Sequence, residues 1–207
     1  MARPEHTPLQ LLERIVVEPE PTKGSRFIAT AVPVGDETAA KAALAELRQA
    51  MPDATHHCSA WRLVSPNLER ANDDGEPGGS AGRPILAQIQ GRNLVNVAVI
   101  VTRYYGGTKL GVGGLVRAYG SAAAAALDAA ATEPYVPKVA LIIEHGYPDS
   151  DAVDRALAEA SATQHSVDYG TDVTRSIEVA SDLEDALRVA LRDATRGRAR
   201  VQHVVSL

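Results

Sequence analysis

Apolar positions in this chain fall into short alternating or continuous runs, separated by longer stretches of helical spacing. The mixture predicts strands interleaved with helices. Residues 14–18 and 26–34 read as strands joined by a turn over 19–25, and residues 7–12 as a short helix or a frayed lead-in. Ala39, Ala43, Leu44, Leu47 and Met51 recur near every 3.6 residues, so a helix is predicted from Asp36 or Glu37 to Met51. Asp36 would cap it and Pro52 stop it. Residues 54–63 alternate, which on a strand puts His56, Cys58 and Ala60 on one face and His57, Ser59 and Trp61 on the other. A polar loop over 65–77 leads to a helix over 80–90, with Pro84 in its first turn and Gly91 at its end. Residues 95–102 (VNVAVIVT) are β-branched and almost wholly apolar, as in a strand buried on both faces. After a loop over 103–111, an alanine-rich helix runs over 112–131. Gly120 inside it costs about 1 kcal/mol relative to alanine, which predicts a neighbour packed against the helix there.

Pro134 and Pro137 interrupt the pattern and divide the chain into domains of residues 1–134 and 135–207. The second reads strand 138–147, helix 150–162, strand 164–169, strand 171–179, helix 182–195, strand 200–206. Six elements in the order βαββαβ make the ferredoxin-like split motif, with Gly170 at the central hairpin and Gly197 after the second helix. The fold class expected is α+β in two domains.

Charge and composition narrow the function classes. The chain carries a net charge of −5, which disfavours broad attachment to nucleic acid and leaves only a local patch for it. Between residues 83 and 120, however, five basic residues stand without one acidic residue. The stretch 73–120 also holds eleven of the sixteen glycines. Residues 136–207 carry eight basic and twelve acidic side chains, so Arg192, Arg196, Arg198 and Arg200 read as a solvated cluster with at most a weak contribution to RNA contact. Cys58 is the single cysteine, which fits a reducing compartment. No apolar h-region opens the sequence and no run nears ~18 apolar residues, so a cytoplasmic protein without a membrane partner is expected.

Candidate chemistry concentrates in the glycine-rich stretch. A strand ending at Thr102, a loop with Arg103 and Lys109, and a helix start with Gly111, Gly113 and Gly114 would present free amides and cations to an anion. Arg83 and Arg117 could join it, and Tyr104 or Tyr105 could stack on a base. The competing reading is that the glycines only permit tight packing and the tyrosines lie under the loop. Asp73, Asp74 and Glu76 are the candidate acid–base or metal groups; the competing reading makes them turn and cap acceptors or partners of Arg83 and Arg103. His56 and Cys58 share a face but are too few for a structural zinc site, and no cofactor is expected.

Three blocks resemble the signature of the Impact family, the YigZ-type proteins of bacteria and their eukaryotic relatives. The first is Lys23-Gly24-Ser25-Arg26-Phe27-Ile28-Ala29; the second runs from Ala54 to Trp61. The third joins Asp73-Asp74-Gly75-Glu76-Pro77 and Gly82-Arg83-Pro84 to Val101–Gly107 and Lys109–Tyr119. Gly78, Ser80 and Tyr105 depart from the family pattern, so no hydroxyl there is given a catalytic task. The resemblance implies an N-terminal β-α-β domain of the ribosomal-protein and elongation factor G domain IV type, and a C-terminal domain like that factor's fifth. A role in regulating translation is implied by the resemblance; the first reading is a non-enzymatic module that contacts phosphate on RNA or the ribosome, and a protein–protein regulator is a further alternative. An enzyme on a small phosphorylated or carboxylated substrate, with Asp73, Asp74 or Glu76 as acid–base group, is the alternative.

Overall fold

The computed structural model describes residues 7–204. The chain forms two compact units, Met1–Tyr135 and Val136–Leu207. Both mix helices and strands.

The first unit is built on a five-stranded antiparallel sheet. Its members are β2 (Ile15–Val17), β3 (Arg26–Pro33), β4 (His56–Leu63), β5 (Leu68–Asn72) and β6 (Val97–Tyr104), in the order β2-β3-β6-β4-β5. β6 lies at the centre because both of its faces are apolar. Val97, Val99 and Val101 face one core; Ala98 and Ile100 face the other. α1 (Glu37–Ala50) covers the second face with Ala40, Leu44 and Leu47, and Asp36 caps it by accepting from the Ala39 amide. α2 (Gly82–Gly91) and α3 (Val112–Ala129) cover the first face. The alternation in β4 divides its side chains between these layers, Cys58 and Ala60 toward α2 and α3, Trp61 and Leu63 toward α1.

Two expectations are corrected. Residues 7–12 are neither helix nor frayed: β1 (Leu9–Leu11) pairs antiparallel with β7 (Thr132–Pro134), so the lead-in is tied to the end of the same unit. The polar loop over 65–77 contains β5, an edge strand held only by β4. Its polar composition hid it, since an edge strand with one exposed side needs little apolar alternation.

The second unit runs β8 (Lys138–His145), α4 (Ser150–Glu159), β9 (Thr163–Tyr169), β10 (Val173–Ala180), α5 (Glu184–Ala194) and β11 (Arg200–His203). Its strands lie in the order β11-β8-β10-β9, all antiparallel. Leu141, Ile143, Ile177 and Val179 of the sheet pack against Val153, Leu157, Leu187 and Leu191 of the two helices. Gly197, at φ +77°, closes α5 by donating its amide to the Arg192 carbonyl. The Ser206 end expected for the last strand lies outside the described residues.

Candidate anion-binding site

The carboxylates of the loop between β5 and α2 turn inward. Asp73 Oδ1 accepts from the amides of Ala81 (2.9 Å) and Gly82 (2.8 Å), and Oδ2 from Gly79 (2.7 Å). Asp73 therefore satisfies the first amides of α2 from eight residues upstream, a capping task that Ala81 at the N-cap position cannot perform. Burial pushes its carboxyl up, but the three amides and the nearby Arg83 outweigh this and hold it below the usual carboxylate range. Asp74 bonds Arg48 through Oδ1 (2.5 Å) and accepts the His57 amide at Oδ2 (2.6 Å).

Glu76 is buried, with its side chain 4% exposed. Its Oε1 accepts from Arg103 Nη1 (2.5 Å) and from the Tyr119 hydroxyl (2.7 Å). All three carboxylates thus hold partners within the first unit. Cys58 Sγ donates to the Asp73 carbonyl (3.0 Å), and burial pushes its thiol up to about 12, so it stays protonated. Among the described residues no group of three or more His, Cys, Asp and Glu side chains is placed to hold a metal ion.

Arg103 is the residue whose place differs most from its sequence reading as an anion ligand. It is 4% exposed, ion-paired with Glu76, and bonded through Nη2 to Ser25 Oγ (3.2 Å). Its guanidinium lies near the rings of both Phe27 and Tyr105, 5.6 and 5.4 Å from their centroids. A charge so enclosed organises the loop rather than meeting a ligand. The same Ser25 Oγ accepts the Gly106 amide (3.1 Å), and there the backbones of the 22–25 turn and the 105–107 loop touch. A Cβ on Gly106 would lie 1.9 Å from the Gly24 carbonyl carbon, so only glycine fits.

Beside this junction lies a cleft of about 320 Å³. The buried Phe27 and Ala118 and the half-buried Leu110 line it, together with Glu20, Thr22 and Lys23 of the turn after β2 and Gly114, Arg117 and Ser121 of α3. α3 begins at Gly111 (φ +71°) with no side-chain cap and no acid in its first turn. The Arg117 guanidinium reaches back over that turn, 3.8 Å from where a Gly113 Cβ would stand. Lys23, Arg83, Lys109 and Arg117 are exposed and make no ion pair among the described residues. Lys23 joins the site although the sequence pointed to it only as the opening of the first signature block. Arg83 stands at the start of α2 beside Asp73, and Tyr104 donates its hydroxyl to Asp53 (3.2 Å) under the Arg26 guanidinium.

The basic cluster of the second unit is mostly paired. Arg198 makes a two-pronged bond to Asp149, Arg192 meets Asp193, and Arg200 lies 4.0 Å from Glu144.

Known proteins share these features of sequence and fold. Residues 23–127 match the Impact N-terminal domain, and residues 143–198 match a domain of unknown function, DUF1949. The chain belongs to the Impact family. Impact family member YigZ of Escherichia coli is 34% identical over 181 residues, covering 86% of this chain and 89% of its own. A Thermus thermophilus Impact family member is 40% identical over 180 residues, covering 86% and 97%. A crystal structure of a hypothetical protein superposes on 96% of this Impact protein and 98% of its own chain, with a TM-score of 0.72 and 30% identity. The Impact N-terminal match includes Lys23, Ser25, Glu76, Arg103, Gly106, Arg117 and Tyr119, the residues that build the junction and flank the cleft. No helix among the described residues is long and apolar enough to cross a membrane.

Proposed function

We propose that this protein is a non-enzymatic, cytoplasmic regulator of translation that binds RNA, free or in the ribosome, through the cleft beside α3. The observation that carries this reading is that Lys23 and Arg117, from different elements, both line one cleft, with Glu20 the single acid in its lining. Neither has an acidic partner among the described residues, in a chain that is acidic as a whole. Two uncompensated cations next to an uncapped helix start favour a phosphate by charge-assisted hydrogen bonds. Lys109 precedes Leu110, which lines the cleft, and Arg103 fixes the adjoining 105–107 loop through Ser25. The order βαββαβ with strands β11-β8-β10-β9 supports a ferredoxin-like second domain comparable to domain V of elongation factor G. The first unit is read in the same way as the counterpart of that factor's domain IV, and the pairing is what points to translation.

The test is binding of a structured RNA to the whole chain, measured by fluorescence anisotropy at fixed salt. Replacing Lys23 and Arg117 together by alanine is expected to weaken binding about tenfold or more, at ~1 kcal/mol or more for each phosphate no longer held. Unchanged affinity in a folded double variant would remove the cleft from the reading. RNA-independent recovery of a regulatory protein on the same surface, abolished in the same variant, would replace RNA with a protein partner.

A further inference from the structure

We propose that the strand taken by this surface is unpaired, with one base laid on the open face of Tyr105 and its phosphates running to Lys23 and Arg117; the proposal rests on the phosphate-binding reading above and specifies its ligand. Tyr105 is 46% exposed, although its surroundings fix it on two sides. One side of its ring lies against the Arg103 guanidinium, which Glu76 and Ser25 pin in place. Its amide donates to Thr55 Oγ1 (3.0 Å), and the next residue, Gly106, is held against Gly24. An aromatic ring held from beneath, with its outer face in solvent, is a platform whose ordering cost has already been met by the fold. Base stacking on such a ring is sequence-tolerant because every base has a π-face.

Tyr104 does not offer the same surface. Arg26 covers its ring, Glu18 neutralises Arg26, and its hydroxyl is bonded to Asp53. The Tyr105 platform and the cleft also adjoin: Lys23 precedes Gly24 and Tyr105 precedes Gly106, and the two glycines touch. A cation and a stacking face therefore flank a single backbone junction. The cleft, at about 320 Å³, has room for one nucleotide-sized group and not for a paired helix. Bases held in a duplex cannot reach a ring, whereas unpaired bases can be splayed onto one. Four cations of the first unit without ion-pair partners among the described residues favour a polyanion over a neutral peptide.

The experiment uses the full chain and a labelled ten-nucleotide RNA of mixed sequence, alone or annealed to its complement. The single strand is expected to bind more tightly than the duplex. Tyr105→Ala should weaken the single strand on the order of 10- to 100-fold and Tyr105→Phe should restore it, since the ring and not the hydroxyl does the stacking. The dependence of log K on log salt should be unchanged in Tyr105→Ala and flatter in Lys23→Ala/Arg117→Ala. In the unaltered protein, a 4-thiouridine strand should photo-crosslink to the peptide containing residues 103–109. Loss of binding in the cation variant, with Tyr105→Ala equal to wild type or the duplex bound as well as the single strand, overturns the stacking proposal and leaves the phosphate site standing. A crosslink confined to other peptides also overturns it. If neither RNA binds the wild-type chain, both readings are overturned.

Discussion

Arg103 lies near the end of β6, after the apolar run 97–101, and its guanidinium is enclosed by two aromatic rings, a serine hydroxyl and the Glu76 carboxylate. Removing one member of such a pair leaves the other charge buried without compensation, at a cost of about 3–5 kcal/mol. Arg103→Ala is therefore expected to lower stability by that order in urea unfolding, with Glu76 left inside. Arg103→Met combined with Glu76→Gln should recover a large part, because it removes both charges and keeps the volume. A single variant as stable as wild type would mean that water reaches Glu76 freely. The consequence for function is practical: loss of RNA binding in Arg103→Ala reports a collapsed loop, and only Lys23, Lys109 and Arg117 report on phosphate binding itself. The sequence offered Arg83 and Arg103 alike as partners of the 73–76 acids and could not say which of the two is buried. Their residue types and glycine surroundings are alike, and what distinguishes Arg103 is an acid 27 positions away, brought alongside by the pairing of β4 with β6 and the inward turn of the 73–82 loop.

At the level of elements, the glycines of one motif-rich stretch turn out to have unlike duties. Gly106 lets two backbones touch; an added Cβ would lie 1.9 Å from Gly24, and neither backbone can yield. Gly120 lies within α3 against Pro84 and Gln88 of α2, but a Cβ there would stand 3.8 Å from both, at ordinary van der Waals distance. The neighbour that its helical position implied is present, yet it leaves room for a methyl group. Gly106→Ala is expected to destabilise the first unit by about 2 kcal/mol or more and to abolish binding at the cleft. Gly120→Ala is expected to raise stability by roughly 0.5–1 kcal/mol, the helix-propensity gain, with binding unaltered. Thermal unfolding of the two variants side by side checks both, and a fall in melting temperature for Gly120→Ala would show that α2 and α3 pack too tightly for a methyl. The elements with strong patterns were legible: β6 from its continuous β-branched run and α3 from its alanine-rich length. β1 and β5 were not. The first is three residues long and gains its pairing from residues more than 120 positions away, and the second carries polar side chains on an edge.

For the whole molecule the decisive quantity is how few phosphates it can neutralise. The chain is net −5, its second unit contributes twelve acids against eight bases, and most of that unit's arginines near α5 and β11 already face carboxylates. The cations without an ion pair in the first unit are Lys23, Arg83, Lys109 and Arg117; Arg155 and Arg196 are exposed and likewise unpaired in the second. Counterion release by a single strand gives a slope of about −0.7 per phosphate in log K against log salt, so four neutralised phosphates set a value of about −3. Anisotropy titrations of the single strand between about 50 and 200 mM salt should give that slope, a fall of roughly 60-fold in affinity over the range. Each cation replaced by alanine should reduce it by somewhat less than one. A slope steeper than about −5 would require phosphates on surfaces beyond these four cations, and Arg155 and Arg196 of the second unit, exposed and without ion pairs, are the first that could supply them. Arg155→Ala/Arg196→Ala separates the cases: it should leave the slope untouched if the first unit alone holds the strand, and flatten it if the second unit also neutralises phosphate.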